Sequence, residues 1–311
     1  MLQSSSVELI GVNVGGTTST VVRGDEQGRI LERSGFATEA HLGGDRLYTR
    51  ILAGIRLLQR QTTVAIGVAI GGPLDARRGV VLNAPHLPFH DFPLLQRLSA
   101  DCTLPVCVHH DAAACALAEW RWGSDAGVHG LAYLTCGTGF GVGLVLDGRI
   151  RYGSSGHSPE IGHVRYRESG PNIFGKPGCF EGFGSAKALG LLANERDPDG
   201  LGRMSPEQIA QAARASNATA AQVLRENECA VGAACALLAD LLVLDVIVLG
   251  SLARYLGESW LSAVRSAFEH EALAANAAHC RLRAAMDDVQ DRSGLAAAID
   301  AARKNKALTT L

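Results

Sequence analysis

No two of the eight cysteines (Cys102, Cys107, Cys115, Cys136, Cys179, Cys229, Cys235, Cys280) form a CxxC pair, and their scatter matches no small disulfide framework. That excludes a stapled secreted domain and leaves buried thiols in a reducing cytosol, so a cytoplasmic protein is expected. An excess of either charge is also lacking: the formal net charge is −2, which gives no electrostatic basis for nucleic acid or an anionic membrane surface. No apolar run is long enough to cross a bilayer, since Asp240 and Asp245 interrupt the stretch 237–249. The first ten residues lack the basic start and apolar core of a secretory signal. There is no low-complexity tract and no Pro- or Ser-rich linker. What is present is a folding composition, 47% apolar and 19% charged, on a 311-residue chain that exceeds a single core. Two domains are expected.

Apolar runs at 7–14, 19–23 and 29–35, separated by Gly15-Gly16 and by Asp25-Glu26-Gln27-Gly28, predict three antiparallel strands. Leu47, Ile51, Leu52, Ile55 and Leu58 fall at helical spacing in 45–59, and 64–70 is a buried strand closed by Gly71-Gly72-Pro73. A short helix over 92–98, a strand at 106–108 and an alanine-rich helix over 111–120 follow, with Asp111 as a natural N-cap. The opening pattern then recurs: a strand at 131–135, the turn Gly137-Thr138-Gly139, a strand at 142–146, Asp147-Gly148, and a strand at 149–152. Helices over 205–214, 220–242, 257–270 and 294–303 surround a last buried strand at 246–249. A repeat of strand, glycine turn with Thr, strand, turn, strand implies two related halves with a cleft between them.

Gly15-Gly16-Thr17-Thr18 and the segment 136–143 (CGTGFGVG) occupy matching places in the two halves. Glycines let backbone N–H groups approach a phosphate, and a Thr hydroxyl adds a donor. Either turn alone is equally an ordinary hairpin; two together predict a grip on both ends of a polyphosphate. Asp111, at a strand-to-helix junction after His109 and His110, caps its helix in the bland reading and takes a proton from a hydroxyl in the functional one. Glu160, His163 and Glu181 lie among turns at Gly156, Gly162 and Gly178, either as exposed polar residues or as bidentate partners for vicinal hydroxyls. His163 and Cys179 suit zinc, but zinc needs four ligands and this region supplies only those two, so no structural zinc is expected.

The segments GVNVGGTTS, GVAIGGPLD, GVVLNAPHLP, VHHDAAACALAE, LTCGTGFGVGLVLDGRI, GHSPEIGHV, GCFEGFGS and VIVLG, in that order, resemble the ROK family of bacterial sugar kinases and related repressors, within the actin/hexokinase-like ATPase superfamily. The resemblance implies a two-domain α/β actin-like ATPase (ribonuclease H-like) fold with a duplicated ββ-β/α unit and an interdomain cleft. Its domains would be 1–120, completed by a C-terminal helix at about 295–311, and 121–294. It implies a glucokinase-like sugar kinase using ATP and Mg²⁺, with Asp111 as catalytic base. Gly72, His86, His110, Asp111, Glu160, His163 and Glu181 would bind the sugar; Gly15, Gly16, Thr17, Thr18, Gly137, Thr138, Gly139 and Gly250 would bind ATP. The expected partners are a small-molecule sugar, ATP and a second copy of the chain as a homodimer, with no nucleic acid and no membrane.

The departures are as informative. The family's first loop begins with a metal-holding Asp, where this chain has Asn13, a poorer magnesium ligand. Thr18 replaces a Lys, His86 and His110 stand where sugar-binding asparagines are common, and the cysteine-rich zinc segment reads PNIFGKPGC, keeping only Cys179. Gly250-Ser251-Leu252 replaces a run of glycines. The first strand is predicted to begin within ten residues of Met1, so no helix-turn-helix is expected and the repressor branch is disfavoured. Two expectations result: a kinase for a hexose or amino- or otherwise modified hexose, phosphorylating the 6-hydroxyl, and, as its rival, a weak or inactive sugar-binding protein of the same fold.

Overall fold

The structure, a computed structural model, describes residues 7–305. The end of the C-terminal segment expected in the first domain (306–311) and the start of the region searched for a signal (1–6) lie outside the described residues. In chain order the elements are β1 (Glu8–Val14), β2 (Thr18–Asp25), β3 (Ile30–Ala37), α1 (Gly44–Leu58), β4 (Thr63–Ile70), β5 (Leu74–Asp75), β6 (Val80–Val81), α2 (Leu94–Asp101), β7 (Val106–His110), α3 (Asp111–Trp122), β8 (Gly130–Cys136), β9 (Phe140–Leu146) and β10 (Arg149–Ile150). There follow β11 (Asn172–Ile173), β12 (Lys176–Pro177), α4 (Glu181–Gly184), α5 (Ala186–Arg196), α6 (Pro206–Arg214), α7 (Ala218–Leu242), β13 (Val246–Leu249), α8 (Leu252–Leu256), α9 (Glu258–Glu271), α10 (Ala274–His279), β14 (Arg281–Ala284) and α11 (Val289–Lys304). No helix among the described residues is long and apolar enough to cross a membrane.

Two five-stranded sheets share one topology: β3-β2-β1-β4-β7 and β10-β9-β8-β13-β14. Each has antiparallel pairing at its start and parallel pairing at its end, the mixed α/β pattern of a duplicated unit. The chain divides into two compact units. The first runs through Gly127 and adds Gly143–Ser158 and the segment from Asp288; the second is Val128–Val142 with Pro159–Asp287.

In the first unit, strand alternation sends Ile10, Val12, Val14, Ile66, Val68 and Ile70 into one core with Leu47, Ile51, Ile55 and Leu58 of α1. The opposite face, with Leu9, Ala65 and Cys107, packs on Leu295, Ala298 and Ile299 of α11. Burial on both faces explains why β1 and β4 are almost continuously apolar. Helix α11 lies directly on the sheet backbone: a Cβ at Gly67 would sit 2.0 Å from the Ala298 nitrogen, and one at Gly11 2.6 Å from the Leu295 nitrogen. In the second unit, α7 crosses the core beside α9, and a buried amide ties helices together. The Trp260 indole N–H donates to Asn227 Oδ1 at 2.9 Å, and Asn227 Nδ2 donates to the Phe183 carbonyl at 2.7 Å.

Candidate functional site

Register assembles the first group of residues. Strands β1, β4 and β7 are parallel, with Val14 opposite Ile70 and Ile70 opposite His110. The residues that follow, Gly15, Gly71 and Asp111, therefore leave the sheet side by side at its C-terminal edge, where open α/β sheets bind ligands. Gly15 N–H donates to the Thr18 carbonyl at 3.2 Å, so Gly15, Gly16, Thr17 and Thr18 form one tight turn with Gly16 and Thr17 exposed. His86 covers that turn; a Cβ on Gly16 would meet the His86 Cβ at 2.9 Å. Gly72 presses on the His110 ring, where a Cβ would lie 2.7 Å from Cδ2, and a Cβ on Gly71 would stand 3.8 Å from Asp111 Oδ2. Asn13 is on β1, paired with Thr20 and Ala69.

Asp111 is the first residue of α3, not its cap. His110 holds the cap position without a side-chain cap bond. The Asp111 carboxylate accepts the Ala112 N–H at 2.6 Å and lies 3.2 Å from His110 Nδ1, with 44% of the side chain exposed. It is anchored at one oxygen and accessible, the combination a general base needs.

The second unit repeats the edge. Strands β8, β13 and β14 are parallel, with Leu249 opposite both Leu134 and Ala284. Gly250 N–H donates to the Leu134 carbonyl at 2.9 Å, and a Cβ on Gly137 would lie 3.2 Å from Ser251 Oγ. Ser251 adopts φ +44°, a strained value for a side-chain-bearing residue. The turn Gly137-Thr138-Gly139 is braced by Glu181, whose Oε2 accepts the Phe140 N–H at 3.1 Å and would lie 3.2 Å from a Cβ on Gly139.

Of the predicted hydroxyl ligands, Glu160 and His163 flank a short turn whose Gly162 packs on the Phe140 carbonyl and on Glu181, at 3.5 Å from its Cβ. Glu160 and His163 are exposed. The His163 ring stacks on Phe174 (centroids 5.8 Å apart), at the tip of the β11–β12 hairpin, and Lys176 Nζ donates to the His163 carbonyl. The segment expected to have lost a metal is organised by rings. Tyr166 stacks on Phe180 at 5.0 Å and meets Phe183 edge-on at 5.5 Å, with Arg167 over both Tyr166 and Phe183 at 5.1 Å. Cys179 is buried beside them. Among the described residues no group of three or more His, Cys, Asp or Glu side chains could hold a metal. Magnesium needs less protein than zinc: one or two hard oxygens suffice when phosphates and water complete the shell. Asn13, half-buried on β1, meets that demand only with a neutral amide oxygen.

Gly71, Phe140, Ser251 and Phe174 enter the sequence reading only inside longer motifs, and none of them has a role of its own there. The first lies in a motif already recognised; the others become neighbours of the site only through contacts across many residues.

The duplicated sheet with a glycine turn after the first strand of each copy defines an actin-like ATPase fold. The ROK family profile matches residues 9–305. A glucokinase of Halalkalibacterium halodurans is 31% identical over 283 residues, covering 85% of this chain and 86% of the relative. The crystal structure of the ROK hexokinase from Thermus thermophilus superposes with a TM-score of 0.80 at 27% identity, over 93% of this chain and 97% of that one. The ROK family glucokinase from Streptomyces griseus, in complex with glucose and AMPPNP, gives a TM-score of 0.77 at 27% identity over 96% and 99%. This chain belongs to the ROK family.

Proposed function

We propose that this protein is an ATP-dependent sugar kinase in which Asp111 is the general base. The observation that carries the reading is the row Gly15, Gly71, Asp111, set by the β1–β4–β7 register, with an anchored and accessible carboxylate at its end. The glucokinase and hexokinase relatives support it. The exposed amides of Gly16 and Thr17 offer donors to phosphate oxygens, and the turn at Gly137–Gly139 offers a second set. Glu160, His163 and Glu181 are assigned to sugar hydroxyls, and Gly72, His86 and His110 to sugar binding as well. Gly250 borders the adenosine. Bound Mg-ATP supplies the phosphoryl group and the counter-charge for its transfer. Asp111 accepts the proton of the attacking hydroxyl as its oxygen bonds to the γ-phosphorus and the bond to the ADP oxygen breaks. The imidazoles of His86 and His110, placed where amides are usual, point to a modified or amino hexose phosphorylated at the 6-hydroxyl. The working form is read as a cytoplasmic homodimer, each copy divided into a first domain of 1–120 completed by the C-terminal helix and a second of 121–294.

An ADP-release assay across glucose, amino hexoses and N-acetylated hexoses tests this. Turnover with a preference away from glucose is expected; a clear preference for glucose sinks the substrate assignment. The neutral Asn13 and Thr18 favour one rival, a sugar-binding protein with little or no transfer. Calorimetry that finds sugar bound but no Mg-ATP bound, together with no ADP release, would establish the rival.

A further inference from the structure

A cavity of about 700 Å³ opens within the first unit and includes none of the residues assigned above to sugar or ATP. Its size falls in the range of small-molecule sites. His109, Tyr152 and Trp120 line it together with Arg77, Arg149, Arg303 and Lys304. Those four cations face two carboxylates, Asp147 and Asp300. Asp300 is already neutralised, since Arg121 Nη2 donates to its Oδ1 at 2.8 Å and its Oδ2 lies 3.2 Å from His109 Nε2. Asp147 lies 3.9 Å from Arg151. The Arg77 and Arg149 guanidinium groups make no ion pair among the described residues.

Part of this lining is polar and fixed. His109 Nδ1 lies 3.0 Å from the Tyr152 hydroxyl, which also accepts the His110 N–H at 3.2 Å. Burial disfavours a charged His109, but the surrounding Tyr152, Cys107 and Asp300 outweigh it and hold the imidazole pKa well above its ordinary value. The lining therefore combines excess positive charge from three separate segments with a hydroxyl and an aromatic face. Guanidinium groups match tetrahedral oxyanions, and an indole gives an attached ring or chain a surface to lie on.

We propose that this cavity is a binding site for a phosphate dianion, either free or carried by a small organic molecule, separate from the sugar and nucleotide sites. Calorimetric titration of the whole protein with inorganic phosphate and, in a second arm, with glucose 6-phosphate tests it. Saturable binding of at least one probe is expected, weakened about tenfold or more by Arg149→Glu and by Arg77→Glu. Tighter binding of the ester identifies an organic phosphate, and equal binding identifies free phosphate; both support the site. Glu181→Gln, which weakens the sugar site, should leave the same binding unchanged, which separates this site from product held at the sugar site. Melting curves check the fold of each variant, and the two arginines lie on different segments, so failure of one variant to fold leaves the other. The proposal is overturned by absence of saturable binding, by binding unaffected in both arginine variants, or by binding weakened in Glu181→Gln alone.

Discussion

The two glycine turns occupy equivalent places in two sheets of identical strand order, yet they are built differently. The first, Gly15–Thr18, is closed by its own backbone bond and covered by a side chain, His86. The second, Gly137–Gly139, is braced from below by a carboxylate, Glu181, which accepts the amide leading into β9. At the parallel edge the contrast continues: β7 ends in an acid opening an alanine-rich helix, whereas β13 ends in Gly250 and the strained Ser251. Duplication fixes where loops emerge. What each loop can do depends on one or two residues that the repeat does not dictate.

The largest effect should come from the residue the second half has no counterpart for. Asp111→Asn should lower kcat by about 10³-fold while leaving sugar affinity within about twofold, read by ADP release and calorimetry. A variant that keeps its turnover would remove the functional asymmetry between the two edges.

Packing of the first sheet on α11 supplies the next test. Gly67→Ala puts a methyl against helix backbone that cannot rotate away, and should cost about 3 kcal/mol in urea unfolding or prevent soluble expression. A loss below about 1 kcal/mol would show that the helix can lift off.

Buried polar groups also differ between the units: the second uses the neutral Asn227–Trp260 pair, the first the ionised Asp300 with His109 and Arg121. Burial raises the Asp300 pKa, but His109 and Arg121 overcome it, so the carboxyl is held below its ordinary range. Its contribution is present above the unfolded pKa of about 3.9 and lost as pH falls through the folded value. His109, with a raised pKa, contributes fully below about 6.5 and loses that contribution as pH rises through its higher folded value. The pair is thus fully effective between about pH 4 and 6.5. Asp300→Asn should destabilise by about 2–3 kcal/mol in that window, less where the pair has already titrated, as followed by urea midpoints against pH. The same loss at every pH would rule out a charged pair.

A smaller effect is expected where the second turn is braced. Glu181→Gln keeps an acceptor for the Phe140 amide but removes its charge, and should raise KM for sugar and nucleotide about tenfold in total. Smallest is a gain: Asn13→Asp gives the first turn an anionic metal ligand and should raise kcat/KM severalfold, about 3-fold, at limiting magnesium. Unchanged kinetics across a magnesium titration would mean position 13 does not touch the metal.

Much of this was legible in the residues. Buried strands announced themselves as apolar runs, and β1, β4, β8 and β13 lie within a residue or two of the runs that predict them. The glycine turns and Asp111 stood out because their chemistry is local. Strand β14 (RLRA) did not, because four residues alternating arginine with Leu and Ala look like solvated chain until β13 pairs with them. Helix α5 was equally silent, its lysine, glycine and asparagine breaking the apolar period. Glu181 bracing the Phe140 amide spans 41 residues, and Phe174 under His163 depends on a two-stranded hairpin; no spacing rule reaches either.

Gly143 of β9 lies against the first turn of α3, where a Cβ would fall 2.0 Å from the Ala112 carbonyl oxygen and 2.6 Å from the Ala113 Cα. The helix that carries Asp111 is therefore located by main chain resting on main chain, a contact with no side-chain torsions to relax. In a saturation-mutagenesis selection for activity, positions 112, 113 and 143 should tolerate almost no enlargement, although none of their side chains could touch a substrate. A carboxylate placed this way inherits its accuracy from what its neighbours lack.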